Sequence, residues 1–136
     1  MRNKNLNKLS RFLKKLDILT IHCPLTTSTN NLIRSKELNI LKKTAIIINT
    51  ARGGIVNEDN LVKAIKNGTI GGAGIDVTTK EPPTKNHPYY SILNHPKFIW
   101  TPHTAWASNE TLQEAINQLV NNVNSFYGGK LKNILK

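Results

Sequence analysis

The clearest structural signal in this chain is the run Ala45-Ile46-Ile47-Ile48-Asn49-Thr50-Ala51-Arg52-Gly53-Gly54. Its first four residues are apolar without alternation and rich in β-branched side chains, which is typical of a strand covered on both faces. The glycine pair breaks the run, and Asn57 is a suitable N-cap for a helix that extends to about Asn67 and stops at Gly68. A buried strand followed at once by a helix predicts one repeat of a parallel α/β sheet.

Further strands and helices are predicted on both sides of this unit. Leucines at helical spacing, beginning with Leu6, predict a helix near residues 5–16, and Ser35 and Ser108 are candidate N-caps of two more helices. The helix after Ser35 is short, at 35–41, and the one after Ser108 is the final helix, with an apolar stripe that ends at Gly128-Gly129. Strands are predicted at 18–21, 72–77 and 98–101, and a proline-bearing loop at 81–96. Alternation of this kind predicts an α/β fold with a parallel sheet and helices on both faces.

The charge of the chain raises nucleic-acid binding as a possible function. The 136 residues carry a formal net charge of +11, and clustered Lys and Arg would neutralise phosphates. Here the basic residues are dispersed along the chain, and none of the usual nucleic-acid-binding motifs accompanies them. We expect a Lys-rich surface and no nucleic-acid partner.

Cysteine usage and hydropathy bear on the compartment. Cys23 is the lone cysteine, so it has no internal disulfide partner, which is compatible with a reducing compartment. The sequence contains no apolar stretch of signal-peptide or membrane-spanning length. We expect a cytoplasmic protein with no membrane partner, and we expect no metal site.

Polar residues of different chemical kinds follow the predicted strands. Cys23-Pro24, Arg52, Glu81 and His103 each come just after a strand, and parallel strands place such residues at one edge of the sheet. A fixed cation, a carboxylate and an imidazole can together hold an anionic substrate and move a proton. Taken singly, each has an ordinary alternative as a turn, loop or strand-end residue. Their convergence favours a catalytic site.

Three segments then carry a resemblance to a known family. They are Ile48-Asn49-Thr50-Ala51-Arg52-Gly53-Gly54-Ile55-Val56-Asn57-Glu58, Gly74-Ile75-Asp76-Val77 with Glu81-Pro82, and Thr101-Pro102-His103-Thr104-Ala105-Trp106-Ala107. In this order they resemble the D-isomer-specific 2-hydroxyacid dehydrogenases, over residues of about 16–135. The His-Thr-Ala-Trp form is most similar to the glycerate dehydrogenase or hydroxypyruvate reductase branch.

The resemblance implies an activity and three catalytic residues. The reaction would be reduction of a 2-keto acid such as hydroxypyruvate or glyoxylate by NADH or NADPH, or the reverse oxidation. Arg52 would hold the substrate carboxylate and carbonyl oxygen, because a guanidinium pairs with a carboxylate in a planar, bidentate way. His103 would donate the proton to the carbonyl oxygen, and Glu81 would orient its imidazole.

The resemblance also implies contacts with the NAD or NADP cofactor. Asp76 would accept the nicotinamide amide N–H, although a structural role at the strand end is an alternative for this carboxylate. The remaining contacts would come from residues near the ribose groups and from the loop after His103: Cys23, Pro24, Thr50, Ala51, Arg52, His103, Ala105 and Trp106. No catalytic position matches His22, His87 or His95, for which we expect solvent or packing roles.

One family feature is missing from the sequence. A Gly-x-Gly-x-x-Gly turn between a strand and a helix normally binds the pyrophosphate, and none precedes Leu16. Gly71, Gly72 and Gly74 follow a helix and open a strand, which is the wrong context. We therefore expect residues 1–136 to form part of an NAD(P)-binding domain, with a Rossmann-like sheet that lacks its first βαβ unit.

The missing parts bear on activity. We expect a carboxyl-terminal portion that is inactive alone and that a complementing chain or a homodimer could complete. The substrate domain is also absent from the sequence, so the identity of the keto acid stays open. An alternative is a non-enzymatic dinucleotide-binding or interaction module that reuses the fold, since function depends on sites and not on folds.

Overall fold

A computed structural model describes residues 2–134, with side chains described from residue 8 onward, so Leu6, Leu135 and Lys136 lie outside the described side chains. The chain divides into two units, Met1–His103 and Thr104–Lys136. The first contains α1 (Arg2–Leu13), β1 (Ile18–Ile21), α2 (Ser35–Leu38), β2 (Ile46–Asn49), α3 (Glu58–Lys66), β3 (Gly72–Ile75), a 3-10 helix (Pro88–Ile92) and β4 (Phe98–Trp100). The second contains α4 (Asn109–Tyr127).

The four strands form one sheet in the order β1-β2-β3-β4, and all three pairings are parallel. Ile18 of β1 pairs with Ile46 of β2, which in turn pairs with Gly72 of β3. Strands in this register all end at the same edge of the sheet. The α/β fold with a parallel sheet is therefore confirmed.

Helix α3 follows β2 as the sequence predicts. The Asn57 side chain accepts a hydrogen bond from the Asn60 N–H at 3.0 Å and so caps the first turn. Gly68, just past the C-cap Asn67, has a φ of +62°, a conformation that glycine adopts without strain. The buried face of the helix consists of Leu61, Val62, Ala64 and Ile65.

The two faces of the sheet differ in burial. Ile47, Ala73 and Phe98 are buried on one face, in the main apolar core. On the other face Ile18, Ile46 and Ile99 are 61%, 41% and 69% exposed. Within the first unit the covering expected for both faces is thus seen at Ile47, Ala73 and Phe98, while the three isoleucines are exposed. Successive strand residues alternate between faces, so a continuous isoleucine run supplies both faces equally and does not show what covers each one.

Helix α2 is shorter than predicted, and its cap is different. Ser35 is the first helical residue and not the N-cap, because its N–H donates to the Asn60 side chain of α3 at 2.9 Å. Arg34 stands at the N-cap, where its N–H donates to the Glu37 carboxylate at 3.1 Å. The helix thus begins one position earlier than predicted, and its first N–H is bonded to Asn60, 25 residues away in sequence.

The segment predicted as a loop between Glu81 and Pro96 contains the 3-10 helix Pro88–Ile92. His87 caps this helix, and Tyr89 and Ile92 bury their side chains in the core. A proline-rich composition favours a loop, but Pro88 stands at the start of the helix, where proline is well tolerated.

In the second unit, α4 begins after its predicted N-cap Ser108, whose side chain accepts from the Thr111 N–H at 3.2 Å. The helix ends at Gly128, as predicted. None of its residues is buried, and its apolar stripe, which includes Ile116, Leu119 and Phe126, is exposed. Among the described residues, no helix combines the length and the apolar character needed to cross a membrane.

Candidate active site

The predicted catalytic residues follow the ends of successive strands. Arg52 follows β2, Glu81 follows β3, and His103 follows β4. Because the sheet is parallel, the chain leaves all of these strands at one edge, which is where ligands bind in open α/β sheets. The sheet thus brings the three segments to the same end of the first unit.

Glu81 and His103 form an ion pair at this edge. Glu81 Oε2 lies 2.6 Å from His103 Nδ1, and the two side chains are 36% and 37% exposed. The other carboxylate oxygen, Oε1, accepts the Thr78 backbone N–H at 2.9 Å. Partial burial raises the pKa of the Glu81 carboxyl, but the bonds from Thr78 and His103 together outweigh it and hold that pKa below its ordinary value.

The backbone around His103 is fixed to β3. Its N–H donates to the Asp76 carbonyl oxygen at 2.8 Å, and the Thr101 N–H donates to the Ile75 carbonyl oxygen at 3.0 Å. His103 has a φ of +55°, in the left-handed region that non-glycine residues seldom adopt. This unusual conformation, together with the bond to Asp76, directs the imidazole towards Glu81.

Asp76 is a buried carboxylate beside the pair. It is 3% exposed, and its Oδ1 accepts a short hydrogen bond from the Thr101 hydroxyl. Its backbone N–H donates to the Asn49 carbonyl oxygen at 3.0 Å, which extends the β2–β3 ladder. The bond from Thr101 is a structural role of the kind that the sequence left open as an alternative for this residue.

A cavity of 470 Å³ lies against these side chains. Asp76, Glu81 and His103 contribute its charged or titratable groups. The remaining wall is largely apolar and aromatic, with Pro82, Pro83, Tyr90, Leu93, Trp100 and Pro102. A concave, mostly apolar site with a few converging polar groups is the usual form of a binding site for a small molecule.

Arg52 lies at the same edge, but it is not among the residues that line the cavity. Its side chain is exposed, and its Nη1 donates to the Ala51 carbonyl oxygen at 2.6 Å. The turn that carries it is held by the buried Asn49, whose amide accepts from the Ala51 N–H at 3.1 Å and donates to the Arg52 carbonyl oxygen at 3.0 Å. Thr50, in the same turn, is exposed.

Cys23 and Pro24, two of the other predicted cofactor contacts, are not among the residues that line the cavity. Cys23 is half-buried and packs against the core, and the Pro24 carbonyl oxygen accepts the Thr29 hydroxyl at 2.7 Å. Ala105 and Trp106 belong to the second unit and are exposed there. Of the predicted site residues in the first unit, Asp76, Glu81 and His103 line the cavity.

A second glutamate–histidine pair, which was not predicted, lies near the first. His87 Nε2 is 3.0 Å from Glu58 Oε2, and the two side chains are only 6% and 14% exposed. The His87 ring also stacks on Trp100, which agrees with the packing role expected for this histidine. The partners are 29 residues apart, so no spacing rule connects them.

Comparison with known proteins now identifies the family. Residues 2–105 match the family model of the D-isomer specific 2-hydroxyacid dehydrogenase NAD binding domain. The chain belongs to this family. The resemblance of the three sequence segments and the Rossmann-like fold are therefore confirmed.

Curated relatives include reductases and dehydrogenases of small acids. Glycerate dehydrogenase of Methylorubrum extorquens is 47% identical over 128 residues, which cover 94% of this chain and 40% of the relative. Glyoxylate reductase of Aeropyrum pernix is 42% identical over 90% of this chain and 36% of the relative. The predicted similarity to the glycerate dehydrogenase branch is confirmed, and the chain spans about two fifths of the length of these relatives.

Solved structures support the same family fold. The D-isomer specific 2-hydroxyacid dehydrogenase of Lactobacillus delbrueckii ssp. bulgaricus, solved in complex with NAD, matches with a TM-score of 0.83 and 28% identity. The match covers 93% of this chain and 42% of that one. The dehydrogenase-family sheet is thus retained in this shorter sequence.

Glycines 71, 72 and 74 do not form a phosphate-binding turn. Gly72 and Gly74 lie in β3, and Gly71 comes directly before it. A Cβ atom at Gly71 would lie 2.3 Å from the Thr44 carbonyl oxygen, so this glycine allows close backbone packing. The rejection of this segment as the family's glycine-rich loop is consistent with its place in the sheet.

Proposed function

We propose that this site belongs to a dehydrogenase that reduces a 2-keto acid such as hydroxypyruvate or glyoxylate to the D-2-hydroxy acid, or catalyses the reverse oxidation. The observation that supports the proposal is the 2.6 Å contact between Glu81 and His103 at the wall of the cavity. Membership of the D-2-hydroxyacid dehydrogenase family agrees with it.

The ion pair suits His103 to proton transfer. Its Nδ1 is engaged with Glu81, so a proton exchanged with the substrate would pass through Nε2, the other ring nitrogen. Glu81 is itself held by the Thr78 N–H, so the carboxylate and the imidazole keep a fixed orientation. In reduction, Nε2 would donate a proton to the carbonyl oxygen; in oxidation, it would accept the hydroxyl proton.

Arg52 is the proposed substrate anchor. In the structure its guanidinium binds its own backbone at the Ala51 carbonyl oxygen, and the side chain is exposed. A guanidinium presents several N–H donors in a plane, so it can exchange this bond for a bidentate contact with a carboxylate. Binding of the keto acid would thus reorient a side chain that the Asn49 turn already places at the sheet edge.

The cavity fits the nicotinamide end of NAD or NADP. Its aromatic and proline walls suit a flat ring, and the buried Asp76 carboxylate suits an amide N–H. When bound, the reduced cofactor supplies the hydride. We propose Cys23, Pro24, Thr50, Ala51, Arg52, His103, Ala105 and Trp106 as further cofactor contacts, on the strength of family membership.

We also propose that the 136-residue chain alone does not turn over substrate, because it spans only about two fifths of its relatives. Turnover would then require the parts of these relatives that residues 1–136 do not match, and a complementing chain or a second subunit is one way to supply them. Cytoplasmic localisation remains part of this proposal.

The test is a chimaera. The segment of the Methylorubrum extorquens glycerate dehydrogenase that matches this chain is replaced by the chain itself, which is 47% identical to it. NADH oxidation with hydroxypyruvate is followed by absorbance. We expect turnover by the chimaera, background rates for the isolated chain, and a loss of kcat of about 10²-fold or more in the His103→Asn variant.

His22→Asn is the matched control. His22 is an exposed histidine at the same sheet edge, and its ring is hydrogen-bonded to the Thr20 hydroxyl. This variant should leave kcat close to that of the unsubstituted chimaera. A folded chimaera that binds NADH and turns over equally well with and without His103 would refute the proposed role of the ion pair.

A further inference from the structure

The buried pair of Glu58 and His87 is bonded to the segment that carries Glu81. Glu58 Oε1 accepts both the Thr79 N–H at 2.6 Å and the Thr79 hydroxyl at 2.8 Å. The neighbouring amide, Thr78 N–H, donates to Glu81 Oε1 at 2.9 Å. Two successive backbone amides therefore bind two different carboxylates, so a change in the orientation of this backbone would affect both.

His87 is held at both ring nitrogens. Its Nδ1 accepts the Tyr89 N–H at 3.3 Å, so the ring proton lies on Nε2 and is donated to Glu58 Oε2 at 3.0 Å. With both nitrogens bonded, the ring is held in one orientation. The ring thereby orients the Glu58 carboxylate, and Oε1 is directed to Thr79.

The same imidazole also contacts a residue of the cavity wall. Its ring stacks on Trp100 with centroids 5.4 Å apart and an angle of 27° between the planes. Trp100 lines the cavity together with Glu81 and His103, whereas Glu58 and His87 are not among the lining residues. The buried pair thus contacts two parts of the site without reaching its interior.

We propose that Glu58 and His87 are positioning residues for the Glu81–His103 ion pair: Glu58 fixes the 78–81 turn, and His87 fixes both Glu58 and Trp100. The catalytic consequence rests on the proposed reductase function, but the positioning itself is a property of the chain. It predicts that a substitution of Glu58 changes the pKa of Glu81, although no hydrogen bond joins these two side chains among the described residues.

The test is NMR on the full 136-residue chain and its Glu58→Gln variant. The glutamine amide has one acceptor oxygen and an NH2 group in place of the other, so it cannot accept from Thr79 and from His87 at once without an opposed pair of donors. We expect amide hydrogen exchange at Thr79 to become about tenfold faster or more, since bonds to charged groups are the stronger ones. We also expect the Glu81 carboxyl, followed by ¹³C titration, to titrate at a higher pH than in the wild type.

The sign of the Glu81 change separates positioning from simple electrostatics. The Thr78 bond and His103 lower the pKa of Glu81, and the charge of Asp76 raises it. Removal of the negative charge of Glu58 would, through space alone, lower the pKa of Glu81. A rise therefore reports a weakened Thr78 bond. Asp59→Asn is the matched control, because Asp59 is an exposed carboxylate in the same helical turn.

Faster Thr79 exchange with an unchanged or lowered pKa of Glu81 would overturn the proposal and leave Glu58 a structural residue only. Protection of core amides such as Leu61 reports whether the variant is folded. If Glu58→Gln unfolds, Thr79→Val replaces it, since it removes only the exposed hydroxyl bond to Glu58. That variant must also raise the pKa of Glu81, and a wild-type value would overturn the proposal.

The activity measurement is kept separate. In the chimaera, Glu58→Gln is expected to lower kcat about tenfold or more with little change in KM, because Glu58 does not line the cavity. An unsubstituted chimaera without turnover would count against the reductase function while leaving the NMR result to decide the positioning role. A Glu58→Gln chimaera with wild-type kcat would refute the catalytic consequence.

Discussion

Gly53 lies directly against the backbone of Thr78. A Cβ atom built on Gly53 would be 1.9 Å from the Thr78 carbonyl carbon and 2.1 Å from its oxygen. The turn that carries Arg52 and the turn that is bonded to Glu81 are therefore in backbone contact. Only a residue without a side chain allows this approach, so the glycine after Arg52 determines how closely the two segments can lie.

Gly53→Ala should therefore destabilise the chain by about 3 kcal/mol, because the clash is with backbone atoms that cannot rotate away. Urea unfolding followed by tryptophan fluorescence measures this. Gly68→Ala is the control: nothing lies within 4 Å of its Cβ, and only its positive φ is strained, at about 1 kcal/mol. Equal losses of unfolding free energy in Gly53→Ala and Gly68→Ala would show that the contact with Thr78 relaxes easily.

The Glu81 carboxyl makes a pH-dependent contribution to stability. Because its pKa is lowered in the folded state, this contribution is present above the ordinary value of 4.5 and is lost as the pH falls through the lowered value. The difference in the free energy of unfolding between the wild type and Glu81→Gln should become smaller as the pH drops below 4.5. The side chain is a third exposed, so the contribution is small, about 1 kcal/mol or less.

Chemical denaturation at a series of pH values checks this prediction. Glu114→Gln, at an exposed position of α4, is the control for loss of one carboxylate charge. A stability difference between wild type and Glu81→Gln that stays constant, or widens, below pH 4.5 would contradict the assignment.

Substitution of Arg52 should separate charge from geometry in the proposed reaction. In the chimaera, Arg52→Lys keeps the charge but loses the planar fork, so kcat/KM should fall by about 10- to 100-fold, mainly through KM. Arg34→Lys, at an exposed arginine before α2, should have no effect. Wild-type kinetics for Arg52→Lys would exclude bidentate anchoring of the substrate by this residue.

Helices and strands that are determined by residues close to them in sequence were well predicted. The strand Ile18–Ile21 has the predicted bounds, and α3 begins after Asn57 and ends at the C-cap Asn67, because capping residues act within one helical turn. The Glu81–His103 pair was also foreseen, since strand ends and family motifs together place these residues at one edge. Here the information lies within a few residues of the feature it determines.

Features that depend on distant partners were not predicted. Ser35 is the first helical residue with its N–H bonded to Asn60, and His87 is paired with Glu58; neither was predicted, because in both cases the partner is more than 20 residues away. The direction of a side chain could not be predicted either. Arg52 has the predicted place at the sheet edge, but its guanidinium donates a hydrogen bond to the Ala51 carbonyl oxygen. Sequence position fixes where a side chain starts but not which of its rotamers the neighbours favour.

Asn49 offers a last test, because it ties the Arg52 turn to the sheet. The buried side-chain amide accepts from the Ala51 N–H and donates to the Arg52 carbonyl oxygen, while the backbone carbonyl oxygen of Asn49 accepts the Asp76 N–H. Asn49→Ala removes the first two bonds and leaves buried backbone groups without those partners. We expect a loss of about 2 kcal/mol in the free energy of unfolding.

The variant should also loosen the turn locally, which amide exchange at Ala51 would detect as a faster rate than in the wild type. Thr50→Ala is the control, since Thr50 is exposed in the same turn and should change stability by about 0.5 kcal/mol or less. If Asn49→Ala were as mild as Thr50→Ala, the turn would be held by its backbone alone, and the position of Arg52 would not depend on the Asn49 side chain.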